Sequence, residues 1–309
     1  MTDGFVLNWL AVTPGYATPL LLASLGLILS ERAGVINLGA EGMMAVGAMS
    51  AVIVSAETGF VWTGVGVAVV AGAALAVIFA IAIVIFHTDQ VLTGLTVVAL
   101  GAGITGVVGR PYVHKPVAGL GAMDWGALAD IPGIGPIVFH QNPLVYVAVL
   151  IVVAVWWFLA RTNPGLKLRA VGEDPATADV AGVDVRLYKF LAIVTSGALC
   201  GFAGAYLSIA SSQVWVEGMI AGRGWIAVAL VIFSQWHPLR AVIGALIFGG
   251  AEALIPQLLA VGADVPVYII MMLPYALTLF VLVLLAIFRG DKSLAPQSLG
   301  VAYIRQDRH

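Results

Sequence analysis

Ionisable and amide side chains set among long apolar runs are where chemistry is to be sought in this chain, and Asn37, Glu41 and Glu252 stand out. The first two belong to the run 30–44, in which Glu31, Arg32, Asn37 and Glu41 are interspersed with Gly34, Gly39 and Gly42 between two apolar stretches. A soluble core has no use for such a pattern. Glycine-rich, non-helical backbone is tolerated at membrane depth only where protein or a water-lined cavity satisfies its polar groups, so the run points to a path for solute. Glu252 lies nearest the middle of an apolar stretch, with Ala245, Gly249 and Pro256 on the same helical face. An unpaired charge there costs at least about 2.5–3.5 kcal/mol. That face therefore cannot lie against lipid, and the carboxylate is protonated, paired across a helix interface or in contact with water.

A second constellation, over 168–185, carries no reactive group but has the marks of a docking helix. Asp174 is a natural N-cap, Pro175 suits the first helical position, and Gly182 suits the left-handed residue that ends a helix. A two-turn helix fits between them. Ala176, Ala178 and Ala181 give it little bulk, so it could enter a groove on another protein with little ordering cost. Basic residues flank it on both sides. On the residues alone, an ordinary topogenic loop with an incidental helix stays open beside the docking reading.

These residues must be positioned by membrane helices. Of 309 residues, 61% are hydrophobic and 10% charged, against about 25% charged for a soluble domain. The mean hydropathy is +1.05. Candidate spans fall at 14–29, 38–56, 61–86, 91–109, 144–159, 190–210, 224–236, 239–260 and 267–288, an all-α polytopic bundle of about nine spans within a range of eight to ten. The stretches 14–29 and 224–236 are short for a bilayer, and each adjoins a polar Gly-rich segment, as expected of discontinuous elements. Pro256 and Pro274 predict kinks. Small residues recur on one face in 91–109 (Gly94, Gly101, Thr105, Gly109) and in 38–56 (Ala40, Gly47, Ala51, Ser55), a pattern that favours tight helix packing. A weak internal repeat relates 33–42 to 218–224.

Arg161, Lys167, Arg169, Arg186 and Lys189 share one loop, and Arg289, Lys292, Arg305 and Arg308 share the tail. The positive-inside rule places both in the cytoplasm, together with Arg32 and Arg240, and puts the N-terminus outside. Only Arg110, Lys115 and Arg223 remain for the external side, where 110–142 forms a Pro- and Gly-rich ordered loop. No small-residue cleavage site follows a short apolar core, so the first helix is expected to stay. Cys200 is the sole cysteine, which excludes an internal disulfide and a Cys-built metal site. His87, His114, His140, His237 and His309 have no ligand spacing, and no Gly-Lys-Ser/Thr phosphate loop occurs. An intramembrane enzyme finds no Ser/His or paired-Asp arrangement in the spans. A secondary transporter, with Glu41, Asp89 and Glu252 as coupling carboxylates, remains an alternative, although it has no need of a docking loop. No basic cluster at membrane depth suits a phosphorylated substrate.

The run 30–44 resembles the signature near the start of permease subunits of bacterial ATP-binding-cassette (ABC) importers for nucleosides and simple sugars, in the branched-chain amino acid/sugar-type permease superfamily. Ala170-Val171-Gly172-Glu173-Asp174-Pro175, followed by Ala178 and Ala181-Gly182-Val183, is similar to the coupling-helix loop of that group. It departs from the common Glu-Asn-Pro by having Asp174 in place of Asn, which keeps the cap chemistry. The resemblance implies a type II importer-like permease, one transmembrane domain over 1–309 with a cytoplasmic coupling loop 161–189 and tail 289–309. It also implies that Gly172, Glu173, Asp174, Pro175 and the helix carrying Asp179 sit in a cleft of a cytoplasmic ATPase. The chain itself needs no cofactor, because ATP and Mg belong to that ATPase. The partners implied are a second homologous permease, an ATPase with two nucleotide-binding modules, an extracytoplasmic solute-binding protein and membrane lipid, with no nucleic acid. The expected role is nucleoside translocation across a bacterial inner membrane, with ribose- or galactose-type sugars as the alternative and Asn37, Glu41 and Glu252 as candidate pathway residues.

Overall fold

A computed structural model describes residues 2–123, 125–260 and 295–303, with isolated helical positions between 272 and 287. Ten α-helices and no β-sheet occur among the described residues: α1 (Thr2–Arg32), α2 (Ala40–Thr58), α3 (Val61–Val84), α4 (Gln90–Val108), α5 (Pro143–Arg161), α6 (Asn163–Glu173), α7 (Pro175–Val180), α8 (Val185–Ala205), α9 (Arg223–Ser234) and α10 (Pro238–Ala260). Seven are long and apolar enough to cross a bilayer: α1 to α5, α10, and α8 with the π-helical turns that prolong it to Ser212. The described residues thus give seven full-length spans plus the 12-residue α9. The stretch expected at 267–288 and Pro274 lie largely outside them, as do Arg289, Lys292, Arg305 and Arg308.

The first span corrects the expectation of a short element at 14–29. α1 runs unbroken for 31 residues through Pro14 and Pro19. Its N-terminal half is fastened to α10, where Trp9 Nε1 donates to Gly250 O at 2.8 Å and Asn8 Nδ2 to Gln257 Oε1 at 3.0 Å. α9 is short, as its sequence implies.

The core is built where helices meet backbone to backbone. A Cβ on Gly72 of α3 would collide with Gly197 O and Gly201 of α8, and one on Gly47 of α2 would collide with Gly201. On α4 the expected small face is buried at Gly94, Gly101 and Thr105, with Gly101 against Gly42. Local caps start the helices: Asp89, Asn142, Thr162 and Asp184 each accept a backbone N–H in the first turn of α4, α5, α6 and α8. Asp89, named above as a possible coupling carboxylate, is therefore an exposed cap.

The arginines divide the bundle into two ends. Arg32, Glu173, Gln235, His237 and Arg240 surround one cavity of about 300 Å³ at the basic end. Burial first, and then the nearby Arg240 and Arg32, hold the His237 imidazole below its usual range. At the opposite end Tyr112 OH donates to Glu57 Oε1 at 2.7 Å, and the loop after α4 pairs with 213–215 through His114 N–H to Trp215 O at 3.0 Å.

Candidate translocation centre and coupling loop

α1 ends at Arg32, and the chain re-enters the bundle as non-helical backbone before α2 begins at Ala40. Two buried polar side chains make that break possible. Ser30 Oγ donates to Val35 O at 2.9 Å, and Asn37, fully buried, accepts Gly39 N–H at 3.0 Å while donating to Ser196 Oγ of α8 at 3.2 Å. Asn37 is thus enclosed and shapes the break rather than lining an open path. Glu31 and Trp236 seal the neighbouring end, with the indole N–H 2.6 Å from Glu31 Oε2 and both side chains buried.

The break delivers Glu41 to the start of α9. Its two carboxylate oxygens accept Gly222 N–H at 2.8 Å and Gly224 N–H at 2.7 Å. A half-length helix inside the bundle exposes orphan N–H groups and the positive end of its dipole, and a carboxylate satisfies both. Arg223, the first residue of α9, pairs with Glu252 of α10, Nε to Oε2 at 3.1 Å. It also donates to Met219 O and Ile220 O. Glu252 follows Pro238 by 14 residues, which at about 1.5 Å per residue sets it about 20 Å from the basic end, within a hydrocarbon layer of about 30 Å. A cavity of about 280 Å³ opens beside this centre, lined by Glu41, Gly42, Thr105, Trp215 and Glu217 among others.

Of the three expected pathway residues, the structure brings Glu41 and Glu252 to one centre, joined through Gly222, Arg223 and Gly224, and leaves Asn37 apart. Arg223, taken above as an external loop charge, is only 22% exposed and belongs to this centre. Its signal in the sequence was its position between Gly222 and Gly224 at the head of an apolar run. Lys189, counted as a loop cation, is 5% exposed within α8. The weak repeat acquires a physical meaning, because its two members, around Glu41 and around Gly222, bond to each other.

At the basic end, α7 forms as its caps imply. Asp174 Oδ1 accepts the N–H groups of Ala176 and Thr177 at 3.0 Å, Oδ2 accepts the Thr177 hydroxyl, and Gly182 takes φ +82°. The Thr177 hydroxyl, followed by its N–H, holds the Asp174 carboxyl below the usual range. A small cluster of Val171, Ala178, Val183 and Val185 fixes the helix from beneath. Ala178, expected among the docking residues, therefore points inward. Ala176, Thr177, Val180 and Ala181 are exposed, as are Glu173 and Asp174, and Val180 is 90% exposed. Gly172 is buried against the carbonyl of Arg32, and Asp179 accepts from Tyr303 OH at 3.1 Å.

The sequence matches the family described as "branched-chain amino acid transport system / permease component" over residues 10–286. It is 44% identical over 254 residues to the putative glucose ABC transporter permease protein TsgC13 of Haloferax volcanii, covering 81% of this chain and 77% of that one. It is 33% identical to the nucleoside ABC transporter permease protein NupC of Lactococcus lactis subsp. cremoris, with 94% of each chain covered. It is 34% identical to the guanosine ABC transporter permease protein NupQ of Bacillus subtilis, with 95% of each covered. No solved structure matches significantly. Seven helices of spanning length among the described residues, the non-helical break between α1 and α2, and a match running over residues 10–286 agree: the chain is a multi-pass membrane protein and belongs to the branched-chain amino acid transport system permease component family, among ABC transporter permeases of the nucleoside and sugar type.

Proposed function

We propose that this chain is one of two membrane subunits of an ATP-driven importer of neutral nucleosides in the cytoplasmic membrane. The observation that carries the substrate class is the engagement of both positive elements at the centre. The α9 N-terminus is capped by Glu41, and Arg223 is paired with Glu252. An amino-acid carboxylate or a phosphate would need one of these elements vacant at membrane depth. A neutral, hydroxyl-bearing solute needs neither, because hydroxyls donate to carboxylates and accept from N–H groups. Relatives named for nucleoside and guanosine transport align over 94–95% of this chain. A simple sugar is the second reading, favoured by the 44% identity to the putative glucose permease.

In this reading the basic end faces the cytoplasm and α7 docks on a separate ATPase carrying two nucleotide-binding modules, which binds the ATP and Mg. A second, related permease completes the pore, and an extracytoplasmic solute-binding protein delivers the substrate. The outer surface of α7 supplies the contact through Ala176, Thr177, Val180 and Ala181. The test is uptake of radiolabelled uridine, adenosine, glucose and leucine by the complex co-expressed from neighbouring genes, in a strain lacking other carriers. ATP-dependent nucleoside uptake is the expected result. Uptake of leucine, or of glucose alone, would overturn the substrate assignment.

A further inference from the structure

Residues 295–303 lie at the basic end, across two parts of the bundle at once. Ser298 donates its backbone N–H to Gly172 O at 3.0 Å and its hydroxyl to the same carbonyl at 2.7 Å. Gly300 N–H donates to Gly34 O at 3.3 Å, and Gln297 N–H reaches a Glu173 carboxylate oxygen at 3.4 Å. Tyr303 donates to Asp179 of α7 and packs on the apolar cluster beneath that helix. Gly34, Gly172 and Ser298 meet so closely that a side chain on Gly34 would strike the Ser298 hydroxyl and one on Gly172 would strike Arg32 O.

Without this segment α7 would rest, through Ala178, on the buried Val171, Val183 and Val185 with Ala170 and Tyr188 packed against them, and on its own covalent neighbours. Such a helix could rock on its cluster while the α1–α2 break stayed still. With it, α7 is bonded through Tyr303, the end of α6 through Ser298, and the start of the break through Gly300. Ser298 is 7% exposed, so its bonds are shielded from exchange with water. From Gly34 the backbone runs seven residues to Glu41, the cap of α9.

We propose that residues 295–303 are a tether making the coupling loop and the α1–α2 break one mechanical unit, with Ser298 and Tyr303 as positioning residues that carry ATPase movement to the Glu41 cap. The proposal rests on the importer reading given above. The first test is the full complex carrying Ser298→Ala and Tyr303→Phe together, each of which removes a hydroxyl and little volume. ATP hydrolysed per substrate imported should rise roughly fivefold, the scale of losing about one net hydrogen bond, while assembly and ATPase rate hold. Second, nitroxide labels at the exposed Val180 and Val301, in a Cys200→Ala background, report whether tether and α7 move together. Their separation should be the same in nucleotide-free and ATP-trapped states. An unchanged ratio in the double variant, or a label separation that changes with nucleotide, would overturn the tether. Absence of ATP-dependent uptake by the unaltered complex would instead overturn the importer reading, and the tether with it.

Discussion

Arg223 Nε lies 3.1 Å from Glu252 Oε2, and the residues on either side of Arg223 give their backbone N–H groups to Glu41. Helix α2 and the consecutive pair α9 and α10, far from it in sequence, are therefore held at one point by two carboxylates, one guanidinium and one helix terminus. At this depth each charge depends on its partner, because leaving one uncompensated costs several kcal/mol.

Glu252→Leu should destabilise the assembled protein by about 3–5 kcal/mol, the scale for stranding a buried partner charge. Glu252→Gln keeps an acceptor for Arg223 and should retain assembly and most uptake. Arg223→Leu combined with Glu252→Leu should recover much of the stability lost in Glu252→Leu alone. Thermal unfolding followed by fluorescence size-exclusion chromatography measures these three and the Arg223→Leu single. A double variant as unstable as the sum of its singles would mean that the two residues do not act as a pair.

Glu41→Ala leaves the Gly222 and Gly224 N–H groups without the carboxylate, at about 1–3 kcal/mol for the buried Gly224 donor. The start of α9 should fray, and uptake should fall at least tenfold even where the complex still assembles. Hydrogen exchange at Gly222 and Gly224 gives the direct reading, with faster exchange in Glu41→Ala and an intermediate rate in Glu41→Gln.

Single cysteines on α7 separate its two faces. With Cys200→Ala as background, cysteines at Ala176, Val180 and Ala181 should cross-link to the ATPase, whereas one at Ala178 should not. Because the Asp174 carboxyl is held below its usual range, the cap is complete throughout the neutral range and is lost only as the pH falls through that depressed value. Cross-linking yield corrected for thiol reactivity should therefore be flat above about pH 5. Cross-linking from Ala178 alone would reverse the assignment of the faces.

Gly182→Val forces a β-branched residue to φ +82°. A left-handed non-glycine residue costs about 1–3 kcal/mol. The expected result is displaced α7, with ATP hydrolysis retained and uptake reduced severalfold; Gly182→Asn, which tolerates this region better, should be milder. Equal loss with both residues would point away from backbone conformation.

A membrane-impermeant thiol reagent should label cysteines at Ala122 and Ala127 in intact cells, and a cysteine at Ala176 only after permeabilisation. All three positions are exposed in the fold. The reverse pattern would turn the bundle over in the membrane.

Much of this arrangement can be read without coordinates where the signal is local. α7 is bounded by Asp174, Pro175 and Gly182, and each acts on the backbone within three residues, so its place follows from residue types. The brevity of α9 is likewise a matter of counting apolar residues. Arg223 escaped because its partner is 29 positions away and its apparent setting is a glycine-rich turn, which reads as a loop. The bond from Glu41 to Gly222 spans 181 positions, and no periodicity reports a contact of that kind. The extent of α1 was hidden by Pro14, which reads as a boundary until Trp9 and Asn8 are seen fastened to α10. Ala178 shows the opposite failure: small residues suit both a docking face and a packed one, and only the position of Val171, Val183 and Val185 decides between them.

The seam formed by Gly47, Gly72, Gly197 and Gly201 bears on how this protein would move. Helices separated by side chains can slide by exchanging rotamers, but backbones in direct contact have no such compliant layer between them. A push delivered to the head of α8, which follows α7 after four residues, would reach α2 and α3 with little attenuation. The three would tilt as a single plate, and Glu41, at the foot of α2, would be carried toward or away from α9 by leverage rather than by any change in its own conformation.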